Sequence, residues 1–198
     1  MKNAFRASCG LALAGIAMGC ADIEGTTGSG AGAILNGSEI EAEGTGEVYL
    51  DLRTTAGDRY CSATLVTNEW AVTAKHCVAN LTDGAASVFG TMGGRGVRAT
   101  EIVQHPTLDV ALVRFGSAFV MHGYHEGYFH ELDRGDPTSL EGDSLRCRGY
   151  GQDAYNGGGG TLRQASLRVS DAASNWYDLT PNSLGQITWL GDSGGTCT

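Results

Sequence analysis

Ser193 has the surroundings of a nucleophilic hydroxyl group. It lies in the segment GDSGG, in which glycines occupy positions 191, 194 and 195 and an acid, Asp192, comes directly before the serine. A hydroxyl is a weak nucleophile at neutral pH, so it needs a general base. That base in turn needs a carboxylate, which fixes its tautomer and stabilises its protonated form. The segment therefore predicts covalent chemistry at Ser193, provided that a histidine and an acid reach it.

The order of residues along the chain excludes one class of serine hydrolase. GDSGG also satisfies the G-x-S-x-G pattern of the α/β-hydrolases, in which the acid and the histidine follow the serine. Only five residues follow Ser193, and none of them is His, Asp or Glu. The partners must therefore precede it, and the five histidines stand at positions 76, 105, 122, 125 and 130.

His76 and Asp109 are the best upstream partners. His76 follows an apolar segment in AVTAKHC, and Asp109 begins another apolar segment in LDVALVRF. An unpaired carboxylate is costly to bury in such a position, so Asp109 needs a cationic or hydrogen-bonding partner. We predict that Ser193 is the nucleophile, that His76 is its base and that Asp109 orients His76.

The elements that would position these residues are short and β-like. From residue 34 onward, alternating or β-branched segments are separated by glycine and by Asp or Asn turns, which predicts an all-β sandwich or barrel. Only VTAKHCVAN, around His76, indicates a helical turn. The predicted strands are EVYLDLR, CSATLVT, WAVTA, SVFGT, VRATEIVQ, VALVRF, SLRCRGYG, LRQASLRVS and GQITWL.

The first 33 residues differ from the rest of the chain. Residues 1–19 carry two basic residues, no acid and the apolar run LALAGIAM, which is too short to span a bilayer and is typical of an export signal. Cys20 follows that run and Gly19, so it is a candidate lipid attachment site; the alternative is cleavage that releases an unlipidated protein. Residues 20–33 are Gly-rich and predict a flexible linker or propeptide. We expect an exported protein, either secreted or a periplasmic or outer-membrane lipoprotein.

Composition limits the function classes. The chain has 198 residues, of which 41% are hydrophobic and 18% charged, enough for one good core or two small ones. Its formal charge is -9, and it falls to -11 without the two basic residues of the leader. An acidic exported protein is a poor binder of nucleic acid or of an anionic membrane. Four cysteines remain after the leader, and an even number in an exported chain favours two disulfides, with three pairings open.

Several motifs in order resemble the chymotrypsin family of serine proteases, here as a bacterial exported member. The resemblance covers nearly all of residues 34–198. It implies two antiparallel six-stranded barrels, the first over about 34–118 and the second, incomplete at the C-terminus, over about 119–198. The motifs are ILNG at 34–37, VTAKHC at 72–77, LDVALVRF at 108–115, CRGYG at 147–151 and GDSGG at 191–195.

The resemblance implies a role for each site residue. Ser193 attacks the scissile carbonyl to form an acyl-enzyme, His76 is general base and then general acid, and Asp109 orients His76. The N–H groups of Gly191 and Ser193 form the oxyanion hole. Asp192 pairs with the free amine of Ile34 after an activating protease cuts the Ala33–Ile34 bond, so the uncut chain is a zymogen. Disulfides join Cys61 to Cys77 and Cys147 to Cys197, and the family uses no cofactor or metal.

The sequence indicates which substrate side chains are disfavoured, but not which one is preferred. The residue that lies six before the serine, at the base of the main specificity pocket of the family, is Ile187, and no acid occurs between Leu179 and Gly191. A Lys or Arg side chain of the substrate would be buried there without a counter-charge. We predict a serine endopeptidase acting on proteins or peptides without preference for Lys or Arg. The chain ends soon after the serine, and the alternative is an inactive, truncated homologue that acts as a surface or interaction protein.

A cluster of histidines between the two predicted barrels could indicate a metal site. The segment MHGYHEGYFHE holds His122, His125, Glu126 and His130, which resemble the helix motif of zinc proteases. The spacing H-E-x-x-x-H places the two histidines about 140° apart on a helix, and two glycines oppose a helix there. We predict a solvated loop between the barrels and no metal.

Overall fold

The secondary structure is almost entirely β. The computed structural model describes residues 12–13, 16–17, 34–119, 129–130, 135–152, 159–174 and 176–198. The described residues include three short 3₁₀ helices, Lys75–Val78, Gly84–Ser87 and Pro137–Leu140. The strands are β1 (Ala12–Leu13), β2 (Ile16–Ala17), β3 (Ser38–Glu39), β4 (Glu47–Thr54), β5 (Gly57–Leu65), β6 (Trp70–Thr73), β7 (Val88–Met92), β8 (Arg95–Gln104), β9 (Ala111–Phe115), β10 (Ser144–Gly149), β11 (Arg163–Ala173) and β12 (Trp176–Thr180).

Six strands close into an antiparallel barrel. Their order around the barrel is β4, β5, β6, β9, β8 and β7, and β7 pairs with β4 to close it. Alternate side chains of β4 point inward, where Val48, Leu50 and Leu52 are fully buried. They pack in one apolar cluster with residues of β5 and β9 such as Leu65 and Phe115. The all-β class and the closed first barrel confirm the prediction from the sequence.

The second unit is a sheet of four strands among the described residues. Strands β10, β11 and β12 lie side by side, and the short β3 pairs with β11 through Glu39 and Arg163. The last residues of the chain lie against β10: the Arg146 N–H donates to the Thr198 carbonyl at 2.7 Å, and the Arg148 N–H to that of Thr196 at 2.8 Å. A smaller apolar cluster, which includes Ile34 and Leu167, packs on this sheet.

The strand prediction for residues 185–190 was wrong. This segment forms no strand ladder, and its backbone makes isolated hydrogen bonds instead. The Gln186 N–H donates to the side-chain oxygen of Asn182, and the carbonyl of Ile187 accepts from the N–H of Leu35. Strand β12 was not predicted, although its sequence WYDLT is rich in strand-forming residues. The helical turn expected at His76 is confirmed as the 3₁₀ helix Lys75–Val78.

No helix among the described residues is both long and apolar enough to cross a membrane. The expected export signal and the linker fall mostly outside the described residues, and so do Cys20 and the Ala33 side of the expected cleavage site. The division of the chain near residue 118 stays a prediction.

Candidate active site

His76 and Asp109 form a close pair at one end of the barrel. The Nδ1 atom of His76 lies 2.7 Å from Oδ2 of Asp109, and the backbone N–H of His76 donates to Oδ1 of the same carboxylate at 2.8 Å. About a third of each side chain is exposed. This double contact fixes the ring, and it places the ring proton on Nδ1 because a carboxylate accepts there. In the neutral imidazole the other ring nitrogen, Nε2, is then the acceptor.

Three contacts hold the turn that carries His76. The disulfide from Cys77 to Cys61 ties the 3₁₀ helix to β5. The guanidinium of Arg59 donates to the carbonyl oxygens of His76 and Ala79 at 2.8 and 2.9 Å. These bonds add to the 3.4 Å hydrogen bond that the Ala79 N–H donates to the His76 carbonyl, and they satisfy the carbonyls at the end of the helical turn.

Lys75 links the same turn to the segment that carries Asp109. Its Nζ donates to the carbonyl of His105 at 2.9 Å, and the side chain of His105 accepts from the N–H of Leu108 at 3.0 Å. The segments that carry His76 and Asp109 are therefore held together by the Lys75 side chain as well as by the direct His76–Asp109 contact.

Strand β5 holds the loop that carries Ser193. The Ser62 N–H donates to the Ser193 carbonyl at 3.0 Å, and the Ser62 hydroxyl donates to the Gly191 carbonyl at 2.9 Å. The Sγ of Cys77 lies 3.8 Å from that Ser193 carbonyl oxygen. The ring of His76 approaches the same disulfide, since a ring nitrogen and both sulfurs lie within 4.8 Å of one another. The structure thus brings Ser193 and the His76–Asp109 pair to the same disulfide.

Backbone conformation and steric contacts explain why glycine occupies positions 191 and 194. Gly191 and Gly194 have φ angles of 91° and 88°, in the region that favours glycine. A Cβ on Gly191 would lie 2.6 Å from the ring of Tyr60, and one on Gly194 would overlap the Ser62 carbonyl and the Thr73 hydroxyl. The loop therefore packs directly on β5, and any side chain at these two positions would push it away.

Three backbone N–H groups of this loop, those of Gly191, Ser193 and Gly194, have no acceptor among the described residues. Those of Gly191 and Ser193 are the two groups that the sequence predicts as the oxyanion hole. Unpaired N–H groups beside a nucleophile suit an oxygen that gains negative charge during reaction.

Asp192 lies beside Ile34, the residue with which the family resemblance pairs it after processing. Both are buried, and the Asp192 carboxylate accepts from the backbone N–H groups of Trp189 and Gly151, each at 3.0 Å, and from that of Ile34. Burial raises the pKa of Asp192 to about 7, and the three hydrogen bonds oppose that rise. An ammonium group at Ile34 would supply the counter-charge that this carboxylate lacks.

Three other predicted residues, Cys147, Cys197 and Ile187, have defined positions. Cys147 is bonded to Cys197, so both predicted disulfides are present. Ile187 is half-buried and packs against the apolar cluster of the second sheet. Its role at the base of a specificity pocket stays a prediction.

Metal binding has little support at the described residues. One group of side chains has the spacing of a metal site, Cys61, His76 and Cys77, but both sulfurs are in a disulfide and offer no thiolate. His122, His125 and Glu126 lie outside the described residues. His130 is described, and the expectation of a solvated loop is wrong for it: its side chain is 16% exposed and faces Glu47, which is fully buried.

The pair of Glu47 and His130 was missed at the level of the sequence. Glu47 begins the predicted strand EVYLDLR, where the alternation gave no sign that an acid on the outer face of the barrel would be buried. A usable signal was the polar alternation of Ser62 and Thr64 in CSATL. Both are fully buried and lie on the side of β5 opposite to its core residues, so a second polar layer had to cover them.

The fold and the site define a β-barrel protein with a His–Asp pair beside a glycine-rich serine loop. The family model named Trypsin matches residues 34–198, and the chain belongs to the trypsin family. A stretch of 85 residues is 28% identical to an uncharacterized peptidase of Corynebacterium glutamicum strain R. The match takes in 43% of this chain and 30% of the relative, so the chain spans under a third of that protein.

Solved structures share the fold at low sequence identity. An HL collagenase has a TM-score of 0.64 and 20% identity, and covers 83% of this chain and 80% of its own. A structure named GrC has a TM-score of 0.62 and 18% identity, with 81% and 82% covered. The scabies mite inactivated protease paralogue S-D1 has a TM-score of 0.65 and 14% identity, with 83% and 81% covered. The fold thus occurs in a protein described as a collagenase and in one described as inactivated.

Proposed function

We propose that this chain is a serine endopeptidase in which His76, Asp109 and Ser193 form the catalytic triad. Membership of the trypsin family supports peptidase chemistry in general. The observation that carries the finer proposal is the 2.7 Å contact of His76 with Asp109 beside the disulfide that touches Ser193. A fold shared with an inactivated paralogue does not argue for activity, whereas an oriented imidazole at the disulfide that contacts the serine does.

The steps of the reaction follow from these positions. The basic nitrogen of His76 takes the Ser193 proton as the oxygen attacks the scissile carbonyl, and Asp109 stabilises the resulting imidazolium. The N–H groups of Gly191 and Ser193 donate to the oxyanion. His76 then gives its proton to the leaving amine, and water hydrolyses the acyl-enzyme by the reverse sequence. Loss of one oxyanion donor typically lowers kcat about a hundred- to a thousandfold.

Activation and location belong to the same proposal. Cleavage at Ala33–Ile34 would put an ammonium group beside Asp192, whose burial without a counter-charge is unfavourable in the uncut chain. The chain is then a zymogen of an exported enzyme, with Cys20 as the site of a lipid anchor. Its substrates would be proteins or peptides, with no preference for Lys or Arg next to the cleaved bond.

Covalent labelling tests the proposal. The exported chain would be purified from its native host, weighed intact and treated with a fluorophosphonate probe, with Ser193→Ala as the control. We expect a mass that begins at Ile34 and one probe per chain, attached to Ser193 and absent from the control. A folded, processed chain that takes no probe would instead support the second candidate, a non-catalytic interaction protein of the kind that the fold also allows.

A further inference from the structure

A buried acid reaches the loop of Ser193 through one hydroxyl group. The Oγ1 of Thr64 lies 3.1 Å from Oε2 of Glu47 and 3.1 Å from the carbonyl oxygen of Gly194, the residue after Ser193. Glu47, Thr64 and Gly194 are all buried. No triad residue takes part in this chain of contacts, and the catalytic steps described above do not use it.

The hydroxyl of Thr64 has one proton and two candidate acceptors. When Glu47 is ionised, its carboxylate and the Gly194 carbonyl compete for that proton, and the charged acceptor makes the stronger bond. When Glu47 is protonated, it donates to Thr64, and Thr64 donates to Gly194. The protonation state of Glu47 therefore decides whether the Gly194 carbonyl has a donor.

Four groups surround Glu47. From β5, the Thr64 hydroxyl lies 3.1 Å from Oε2, while Oε1 has no hydrogen-bond partner among the described residues. His130 places its Nε2 3.5 Å from Oε1, and Arg148 of β10 places its Nη1 4.0 Å away. Tyr150 donates to the backbone carbonyl of Glu47 at 3.1 Å, not to its carboxylate.

Burial and the charged neighbours act on the pKa of Glu47 in opposite directions. Burial raises the pKa of Glu47, and the partly offsetting contacts come from His130, Thr64 and Arg148. The pKa of His130 is raised in turn, mainly by its contact with Glu47. The Nε2 proton of His130 is already donated to the Thr45 carbonyl at 3.0 Å, so Oε1 of Glu47 receives only a long contact.

We propose that Glu47 is a positioning residue for the nucleophile loop, and that a proton on it lets Thr64 hold the Gly194 carbonyl in place. The neighbouring Ser193 carbonyl is already held by Ser62, so this second bond fixes two successive peptides behind the nucleophile. Loss of the proton frees Gly194 and lowers the reactivity of Ser193. The inference rests on the proposed serine chemistry.

The test compares rates of fluorophosphonate labelling from about pH 5 to about pH 9, across the range in which histidine and raised carboxyl groups titrate. Glu47→Gln keeps the shape and permanently carries a donor. Its rate should match that of the unchanged protein at low pH and exceed it about fivefold at high pH, the factor expected for one hydrogen bond. Glu43→Gln removes the same charge from an exposed side chain nearby and should leave the profile unchanged.

A second pair of variants isolates the hydroxyl. Thr64→Val keeps the shape and loses the proton, so its labelling should be about fivefold slower at low pH, while Thr64→Ser should restore the rate. The titration of His130, followed by NMR of its ring proton, should shift to lower pH in Glu47→Gln, and this readout does not depend on activity. Circular dichroism would establish that each variant is folded.

The outcomes separate the two proposals. Labelling of the unchanged protein with profiles that run parallel in Glu47→Gln, or full reactivity in Thr64→Val, would overturn the role of Glu47 and leave the serine chemistry standing. A folded, processed protein that is unlabelled at every pH would overturn the serine chemistry and, with it, this inference.

Discussion

The backbone N–H of Ser62 donates to the carbonyl oxygen of Ser193 at 3.0 Å. Ser62 belongs to the barrel that also carries His76 and Asp109, whereas Ser193 comes some 80 residues after the last strand of that barrel. This bond, with those from the Ser62 and Thr64 hydroxyls to the same loop, therefore holds the nucleophile at its distance from the barrel residues. Because the carbonyl is on the serine itself, a small displacement of β5 moves the hydroxyl directly.

The pairing of His76 with Asp109 predicts a large loss in Asp109→Asn. The amide would favour the wrong tautomer of the imidazole, and this change in a triad lowers kcat about ten-thousandfold. The rate of labelling by the fluorophosphonate probe and the rate of peptide hydrolysis should both fall, with little change in the thermal midpoint of unfolding. Asp51→Asn, on the exposed side of β4, is the matched control and should change neither rate. A rate within a few-fold of normal in Asp109→Asn would contradict the assigned triad.

The sequence was informative where chemistry demands particular residue types. A nucleophilic serine requires a base, and the base requires a carboxylate. This singled out Ser193, His76 and Asp109, and the structure brings these residues to one disulfide. The contacts of Glu47 were missed, because a single acid at the start of a strand does not by itself reveal whether its side chain faces solvent or a second layer. The strand assigned to GQITWL failed because its backbone bonds instead to Leu35, which is remote in the sequence, and to the side chain of Asn182, four residues before Gln186.

The packing of Gly194 on β5 predicts that Gly194→Ala disables the loop. The new Cβ would combine a strained φ of 88° with overlap on Ser62 and Thr73, which together should cost at least about 3 kcal/mol of the free energy of unfolding. Gly84→Ala is the control, since Gly84 also has a positive φ, 47°, but has open space around it. In Gly84→Ala, urea unfolding should show a loss of about 1 kcal/mol in the free energy of unfolding. Probe labelling of this control should be normal. Equal effects of the two changes would show that steric contact with β5 is unimportant.

The burial of Asp192 predicts an unusual pH dependence in the unprocessed chain. Its pKa rises from 3.8 to about 7 on folding, so between these values the folded state binds the proton more tightly than the unfolded state. Stability from this group is therefore full at low pH and is lost as pH rises toward 7, by on the order of 4 kcal/mol. An ammonium group at Ile34 would lower the pKa of Asp192 and remove most of that loss.

Urea unfolding of the Ser193→Ala chain at about pH 5 and about pH 8 measures this effect. The unprocessed chain should lose stability relative to a chain that begins at Ile34, and Glu47 cancels in the comparison because both forms contain it. A chain that begins with acetylated Ile34 serves as the control and should behave like the unprocessed one. Parallel pH dependence of the free-amine and acetylated chains would refute the pairing of Ile34 with Asp192.

The position of Ile187 predicts the cleavage preference. With no acid at the base of the expected pocket, a substrate with Met before the cleaved bond should have a higher kcat/KM than the matched substrate with Lys, since the Lys ammonium would be buried without a partner. Ile187→Asp should shift the ratio toward Lys by at least about tenfold, and Ile187→Asn, which has the same shape without the charge, should not. Because Ile187 also packs against the second apolar cluster, the folded fraction of each variant has to be measured by circular dichroism before the ratios are compared. Faster cleavage of the Lys substrate by the unchanged protein would mean that a different residue forms the base of the pocket.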